Sequence, residues 1–234
     1  MFNKKLPHNK FPARMRETGF LILLALVVML TVTACTGIIL RTGNVITETR
    51  QVSYFDRIDL RGMGVVIVTQ DGSESLSIET GDKVMELVEA EVVGETLVLG
   101  LEEGVNLLSN ARLKFYVSVD DLSGLSVAGS GKIESELIET EDLEVRVGGS
   151  GGIDLAGEAT AQDVTISGSG KYLAGDMCSE VVKVSISGSG KATVCATETL
   201  DANINGSGSV NYYGQPSIST SGSGSGKINN LGEK

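Results

Sequence analysis

The tripeptide Gly-Ser-Gly returns along the C-terminal half of the chain at a nearly constant interval, and that interval limits the fold more than any other feature. Copies stand at Gly129-Ser130-Gly131, Gly149-Ser150-Gly151, Gly168-Ser169-Gly170, Gly188-Ser189-Gly190, Gly206-Ser207-Gly208 and Gly222-Ser223-Gly224, with an overlapping copy at 224–226. Successive first glycines of the six lie 20, 19, 20, 18 and 16 residues apart. This period is too short for a propeller blade or a helical repeat. The flanks repeat too. Four and two residues before the first glycines stand Leu125 and Val127, Val145 and Val147, Val164 and Ile166, Val184 and Ile186, Ala202 and Ile204, then Ile218 and Thr220. Four residues after them stand Ile133, Ile153, Tyr172, Ala192 and Val210, with Ile228 following the overlapping copy.

Apolar residues two apart, bounded by glycine, are strand signals. Each repeat therefore reads as a strand, a tight Gly-Ser-Gly corner and a second strand. Two glycines bracket a bend that side chains would forbid. The pattern suits an all-β fold, a β-solenoid whose coils pair in parallel about 4.8 Å apart. Stacking is an energetic necessity. One coil buries four or five aliphatic side chains at roughly 1.5–3 kcal/mol each. Ordering about 19 backbone units costs roughly 1–2 kcal/mol each, so only neighbours sharing core and hydrogen bonds make a coil stable.

Residues 44–120 are less regular but related. Arg57 to Val68 alternates in the same way around a Gly62-Met63-Gly64 corner. Ser75–Glu79, Thr96–Leu101 and Lys114–Val119 read as strands, and Lys83–Val88 as a helical turn or two. No linker separates this region from the repeats.

The N-terminus reads as an address. Residues 1–19 are basic, Phe20–Thr33 is uncharged and mostly apolar, and Ala34-Cys35 follows. This is the layout of a secretory signal. The run Val32-Thr33-Ala34-Cys35 resembles a bacterial lipobox, which makes Cys35 the expected lipidation site. Residues 1–34 are then a lipoprotein signal peptide, 35–43 the lipidated cysteine and tether, and 44–232 the β-helix domain. The competing reading is an uncleaved transmembrane anchor, because the uncharged stretch from Thr18 to Leu40 is long enough to span a bilayer. Either way the solenoid is extracytoplasmic and membrane-anchored, at an outer membrane or on the outer face of the cell membrane.

Charge narrows the partners. The chain carries 19 basic and 30 acidic residues, a net of −11. Lys4, Lys5, Lys10, Arg14 and Arg16 against Glu17 give residues 1–34 a net of +4, leaving 14 basic and 29 acidic side chains, net −15, in the remaining 200. Nothing in that balance attracts nucleic acid. The single histidine, His8, lies in the segment read as removed, so the exported part has none. Ser-His-Asp and Cys-His catalysis and histidine-containing zinc sites are thereby excluded. Cys178 and Cys195 lie 17 residues apart, close to the repeat length. They form either a disulfide between neighbouring coils or a pair of inert buried thiols.

The segments Arg50-Gln51-Val52, Phe55-Asp56-Arg57-Ile58, Gly62-Met63-Gly64, Val66-Ile67 and Gln70-Asp71-Gly72, followed by serial Gly-Ser-Gly coils, resemble the putative auto-transporter adhesin head GIN domain. That is a bacterial family of unknown function, often found on exported lipoproteins. The resemblance spans about 44 to 230. It implies a single-stranded right-handed parallel β-helix and brings no catalytic residues.

Several motifs resemble chemistry without completing it. Gly-Ser-Gly-Lys at 129–132, 168–171 and 188–191 is similar to the end of a phosphate loop, but Ile133, Tyr172 and Ala192 follow the lysine where Ser or Thr is needed. Gly148–Asp154 is similar to a calcium nonapeptide with its aspartate one residue late. No metal and no cofactor is expected. Asp154, Glu158, Asp163 and Asp176 are the carboxylates that a polysaccharide lyase or hydrolase on this scaffold would use, a reading supported by fold analogy alone. Tyr213 is the candidate ligand contact, since a tyrosine ring offers rigid apolar area with a polar tip. The expectation is a lipid-anchored envelope protein whose β-helix is a non-enzymatic binding, adhesion or scaffold module. Its partners would be the membrane and an extracellular or periplasmic glycan or protein. The carbohydrate-active enzyme is the alternative.

Overall fold

Strands make up most of the residues that the computed structural model describes, namely 38–40, 43–107 and 112–234. Residues 1–34, Cys35 and half of the tether lie outside these. Fifteen strands form one sheet. They are β1 (Val45–Arg50), β2 (Arg57–Gly62), β3 (Val65–Gln70), β4 (Ser75–Gly81), β5 (Val88–Val93), β6 (Thr96–Leu101), β7 (Leu113–Val119), β8 (Gly124–Gly129), β9 (Lys132–Gly149), β10 (Gly152–Gly168), β11 (Lys171–Gly188), β12 (Lys191–Gly206), β13 (Ser209–Tyr213), β14 (Ser217–Gly224) and β15 (Lys227–Asn230). A one-turn helix, α1 (Asp82–Met85), follows β4.

The architecture is a β-solenoid of parallel stacked coils, as the period requires. One face stacks β6, β2, β8 and then the second halves of β9 to β12, ending in β14. The next face stacks β7, β3 and the first halves of β9 to β12, ending in β13 and β15. Position along the axis does not follow position in the chain. The coil of residues 57–70 lies between the coil of 96–119 and the coil that begins at Gly124.

The first end of the stack is closed by a change of strand direction. β5 pairs antiparallel with β6, β4 pairs antiparallel with β7, and β1 pairs antiparallel with β4. The end strand β5 carries the exposed Glu89 and Glu91, charges of the kind that discourage further strand pairing. At the other end β14 is exposed along its whole length.

The corners follow one hydrogen-bond rule. The serine N–H donates to the first glycine of the preceding corner, as in Ser169 to Gly149 at 2.8 Å, Ser189 to Gly168 at 2.8 Å and Ser207 to Gly188 at 2.9 Å. The same bond runs from Ser225 to Gly206 at 2.8 Å, and Gly206 pairs with Gly224. This corrects the sequence reading of the last corner. Gly224-Ser225-Gly226 makes the turn, whereas Gly222 and Ser223 lie within β14, beside Ile204 and Asn205. Thr220 and Gly222 thus replace Ile218 and Thr220 in the inward columns. Backbone register decides the phase, and the large inward side chains run out there.

The inward columns are otherwise those of the repeat. Val145, Val164 and Val184 are at most 1 % exposed, as are Val147, Ile166 and Ile186. Within them sits one polar network. The Tyr172 hydroxyl donates to Gln162 Oε1 at 2.7 Å, and Gln162 Nε2 donates to Ser179 Oγ at 2.7 Å and Met177 O at 3.3 Å. Burial pushes the Tyr172 phenol far above its ordinary pKa, so it remains a neutral donor. Tyr172→Phe should lower stability by about 1–3 kcal/mol, because Gln162 would keep a buried acceptor with no donor. A urea midpoint equal to wild type would show that the network contributes nothing.

Candidate binding cleft

A β-bulge in β9 and a register shift between β10 and β11 interrupt the face that carries β3. In β9, Ser135 pairs with Leu155 but Ile138 pairs with Gly157, so β9 has one residue more than β10. Pairing of β9 with β3 stops at Glu134. Beyond it the Gln70 side chain replaces the backbone ladder: its Oε1 accepts from the Glu139 N–H at 2.9 Å and its Nε2 donates to Glu139 O at 3.0 Å. The Ser135 hydroxyl donates to Val68 O at 2.9 Å. Pinned on both sides, the bulge buries Ile138 and lifts Leu137, which is 62 % exposed. Bulges commonly re-aim a side chain in this way.

A second register shift between Asp154 and Ala156 places Asp176 of β11 on the other side. Between the two irregularities lies a cleft of about 1010 Å³, lined by Ile67 to Gln70, Lys132, Glu134, Leu137, Asp154, Ala156 and Asp176, among others. Lys132 Nζ stands 2.7 Å from Glu134 Oε1 and 3.3 Å from Asp154 Oδ2. The hydrogen bond to Glu134, opposed by desolvation and reinforced by Asp154, holds the ammonium above its ordinary pKa. Asp176 is ion-paired with Lys234, whose Nζ also donates to Gly175 O at 2.6 Å.

The residues singled out from sequence are distributed as follows. Asp154 and Asp176 share the cleft. Glu158 lies in a separate shallow groove with Cys178 and Glu180, and Asp163 sits beside Glu144 and Lys183 on the other face. The four carboxylates are therefore not one constellation. Tyr213 is half-buried, and a Cβ at Gly175 would come within 3.0 Å of its ring. Lys234 Nζ lies 5.3 Å from the ring centroid, so Tyr213 borders the Asp176 side of the cleft without lining it. Lys171 and Lys191 are register partners on an exposed edge. A disulfide joins Cys178 to Cys195, with Cα atoms 4.5 Å apart. Among the described residues no group of three or more His, Cys, Asp or Glu could hold a metal ion, and no helix is long and apolar enough to cross a membrane. Cys35, the expected lipidation site, and all of the apolar stretch before it lie outside the described residues.

Leu137 escaped the sequence reading. Its signal was present: Leu137-Ile138 puts two large apolar residues side by side where the next coil has only Ala156-Gly157.

The profile of the family described as putative auto-transporter adhesin, head GIN domain, matches residues 54–216. The chain belongs to this family. Among solved structures, a putative adhesin from Bacteroides fragilis is 28 % identical, with a TM-score of 0.69 over 83 % of this chain and all of that one. A putative adhesin from Parabacteroides distasonis, 19 % identical with a TM-score of 0.54 over 81 % of this chain and 98 % of that one, shares the fold. A search of curated proteins finds no significant match. Both irregularities that shape the cleft fall inside the head GIN region.

Proposed function

We propose that this head GIN protein is exported, lipid-anchored through Cys35, and serves on the cell envelope as a non-enzymatic adhesion or scaffold module. The observation that carries the reading is the cleft. The bulge of β9 raises the apolar side chain of Leu137 into solvent beside the ion-paired Lys132, Glu134 and Asp154. A concave site lined by apolar side chains, here Ile67, Val68, Leu137 and Ala156, with a few charged groups beside them is the usual form of a binding surface. Of the four carboxylates that line the cleft, Glu134 and Asp154 share Lys132 and Asp176 pairs with Lys234. Family membership and the adhesin-named neighbour support the same role, and the lipobox-like run before Cys35 supports the anchor.

Antibody labelling of the solenoid on intact and lysed cells tests this. Intact cells expressing the wild type should label, and Cys35→Ala should leave the membrane fraction. Labelling only after lysis would remove adhesion, and normal anchoring of Cys35→Ala would remove the lipid tether. At equal surface level, Leu137→Asp should reduce cell attachment severalfold. Unchanged attachment would move the contact away from the cleft.

A further inference from the structure

The solenoid face opposite in character to the cleft carries a cationic trough. Between and beyond its buried Leu125 and Val127, β8 presents the small residues Ser126 and Ala128 outward, while Gly124 lies beneath the Arg57 guanidinium, whose ion pair with Glu144 closes that end. In register on one flank stand Arg57, Asp59 and Arg61 of β2, and on the other Glu144 and Arg146 of β9. The floor is one strand wide and six residues long. Past the Arg57–Glu144 bridge the open part covers about four residues, roughly 13 Å at 3.3 Å per residue. A groove of about 320 Å³ holds Arg57, Asp59, Arg61, Ser126 and Arg146 and continues past β2 over Val93, Thr96 and Val98.

Three guanidiniums meet two carboxylates there. Glu144 accepts from Arg57 on one oxygen and from Arg146 on the other, and Arg61 Nε donates to Asp59 at 2.9 Å. Burial works against the Glu144 charge, but Arg146 and Arg57 outweigh it and hold its pKa below the ordinary carboxylate value. The trough is therefore net positive in a protein that is net negative. It gathers three of the six arginines that follow Cys35, and no arginine follows Arg146. The Arg61 and Arg146 side chains are 60 % and 58 % exposed. Exposed ion pairs contribute only about 0–1 kcal/mol, so stability does not call for this concentration. Each guanidinium has five N–H donors, and the pairs seen here occupy only part of them.

We propose that the trough binds a linear polysaccharide bearing carboxylate or sulfate groups. Guanidinium forks match the paired oxygens of such groups. A narrow trough running along the strands suits an extended chain, and the absence of an aromatic ring among its lining residues removes the stacking that single-stranded nucleic acid requires. At physiological ionic strength the rest of the acidic surface is screened beyond about 8 Å, so it does not prevent local binding. The site is distinct from the Leu137 cleft, and the inference holds whether or not that cleft binds anything.

Binding of the purified protein to polygalacturonate and to heparin, with neutral dextran as control, tests the assignment. At low salt one or both polyanions should bind and dextran should not. Raising sodium chloride to half-molar should weaken binding at least tenfold. The double variant Arg61→Gln/Arg146→Gln should lose at least tenfold. Ser126→Glu, which removes no arginine and places a carboxylate on the floor, should do the same, and it decides the matter if the double variant unfolds. Failure of both polyanions to bind, wild-type binding by a folded variant, or binding confined to single-stranded DNA or to phosphatidylglycerol vesicles overturns the proposal.

Discussion

Gly188→Ala is expected to destabilise the solenoid by about 2–4 kcal/mol, a large fraction of the stability of an ordinary domain. Gly188 has φ +122°, and an added Cβ would lie 2.5 Å from Gly168 O and 3.2 Å from Gly168 Cα. Both contacts are with backbone, so no rotamer change relieves them. The strained φ alone costs on the order of 1–3 kcal/mol. The clash also forces apart two coils joined by the Ser189 N–H to Gly168 O bond of 2.8 Å. Ser187→Ala, on an exposed outward position of the same strand, should stay within about 0.5 kcal/mol of wild type. Urea titration of the two variants side by side measures the difference. Equal midpoints would mean that the corner does not have the left-handed backbone described above. The second glycine of the corner is constrained differently: a Cβ on Gly190 would press to 2.5 Å from Ile166 Cγ2. One glycine answers to backbone conformation, the other to the core beneath it.

Removing the Cys178–Cys195 disulfide is expected to cost about 3 kcal/mol, the loop-closure value for a separation of 17 residues. For a domain of this size that corresponds to a fall of roughly 6–12 °C in Tm. The bond also holds a place where register needs help. The pairing of β11 with β12 shifts between Ala174 and Cys178 and again between Ser179 and Val181, so Cys178 and Cys195 pair between two irregularities. The double variant Cys178→Ala/Cys195→Ala avoids leaving a buried hydroxyl or a free thiol, and scanning calorimetry compares it with oxidised and reduced wild type. Reduced wild type should behave like the variant. A variant melting with the oxidised protein would show that stacking alone maintains this step.

The regular coils were legible because their determinants are local. Glycine at a corner, alternation of apolar residues and the sharp turn between them are properties of a few consecutive residues. They lead directly to the columns of Val145, Val164 and Val184. The last corner was misplaced by two residues because two overlapping Gly-Ser-Gly copies compete, and only pairing of Gly206 with Gly224 chooses between them. The cleft was half legible. Asp154 and Asp176 were picked out, whereas Leu137 was not, because its exposure depends on one extra residue in β9 relative to a neighbouring coil.

Sequence by itself therefore determined that this chain stacks short parallel coils turned at Gly-Ser-Gly, that its surface is acidic, and that its core is aliphatic. Tertiary structure decided the order of the coils along the axis, the closure of one end by antiparallel strands, and the meeting of Arg57 with Glu144 across 87 residues. The physical reason is that parallel pairing satisfies the backbone of any two strands in register, whatever their distance in the chain. Which strand becomes the neighbour of which is settled by how the whole stack fills its core and closes its ends, and local sequence does not encode that.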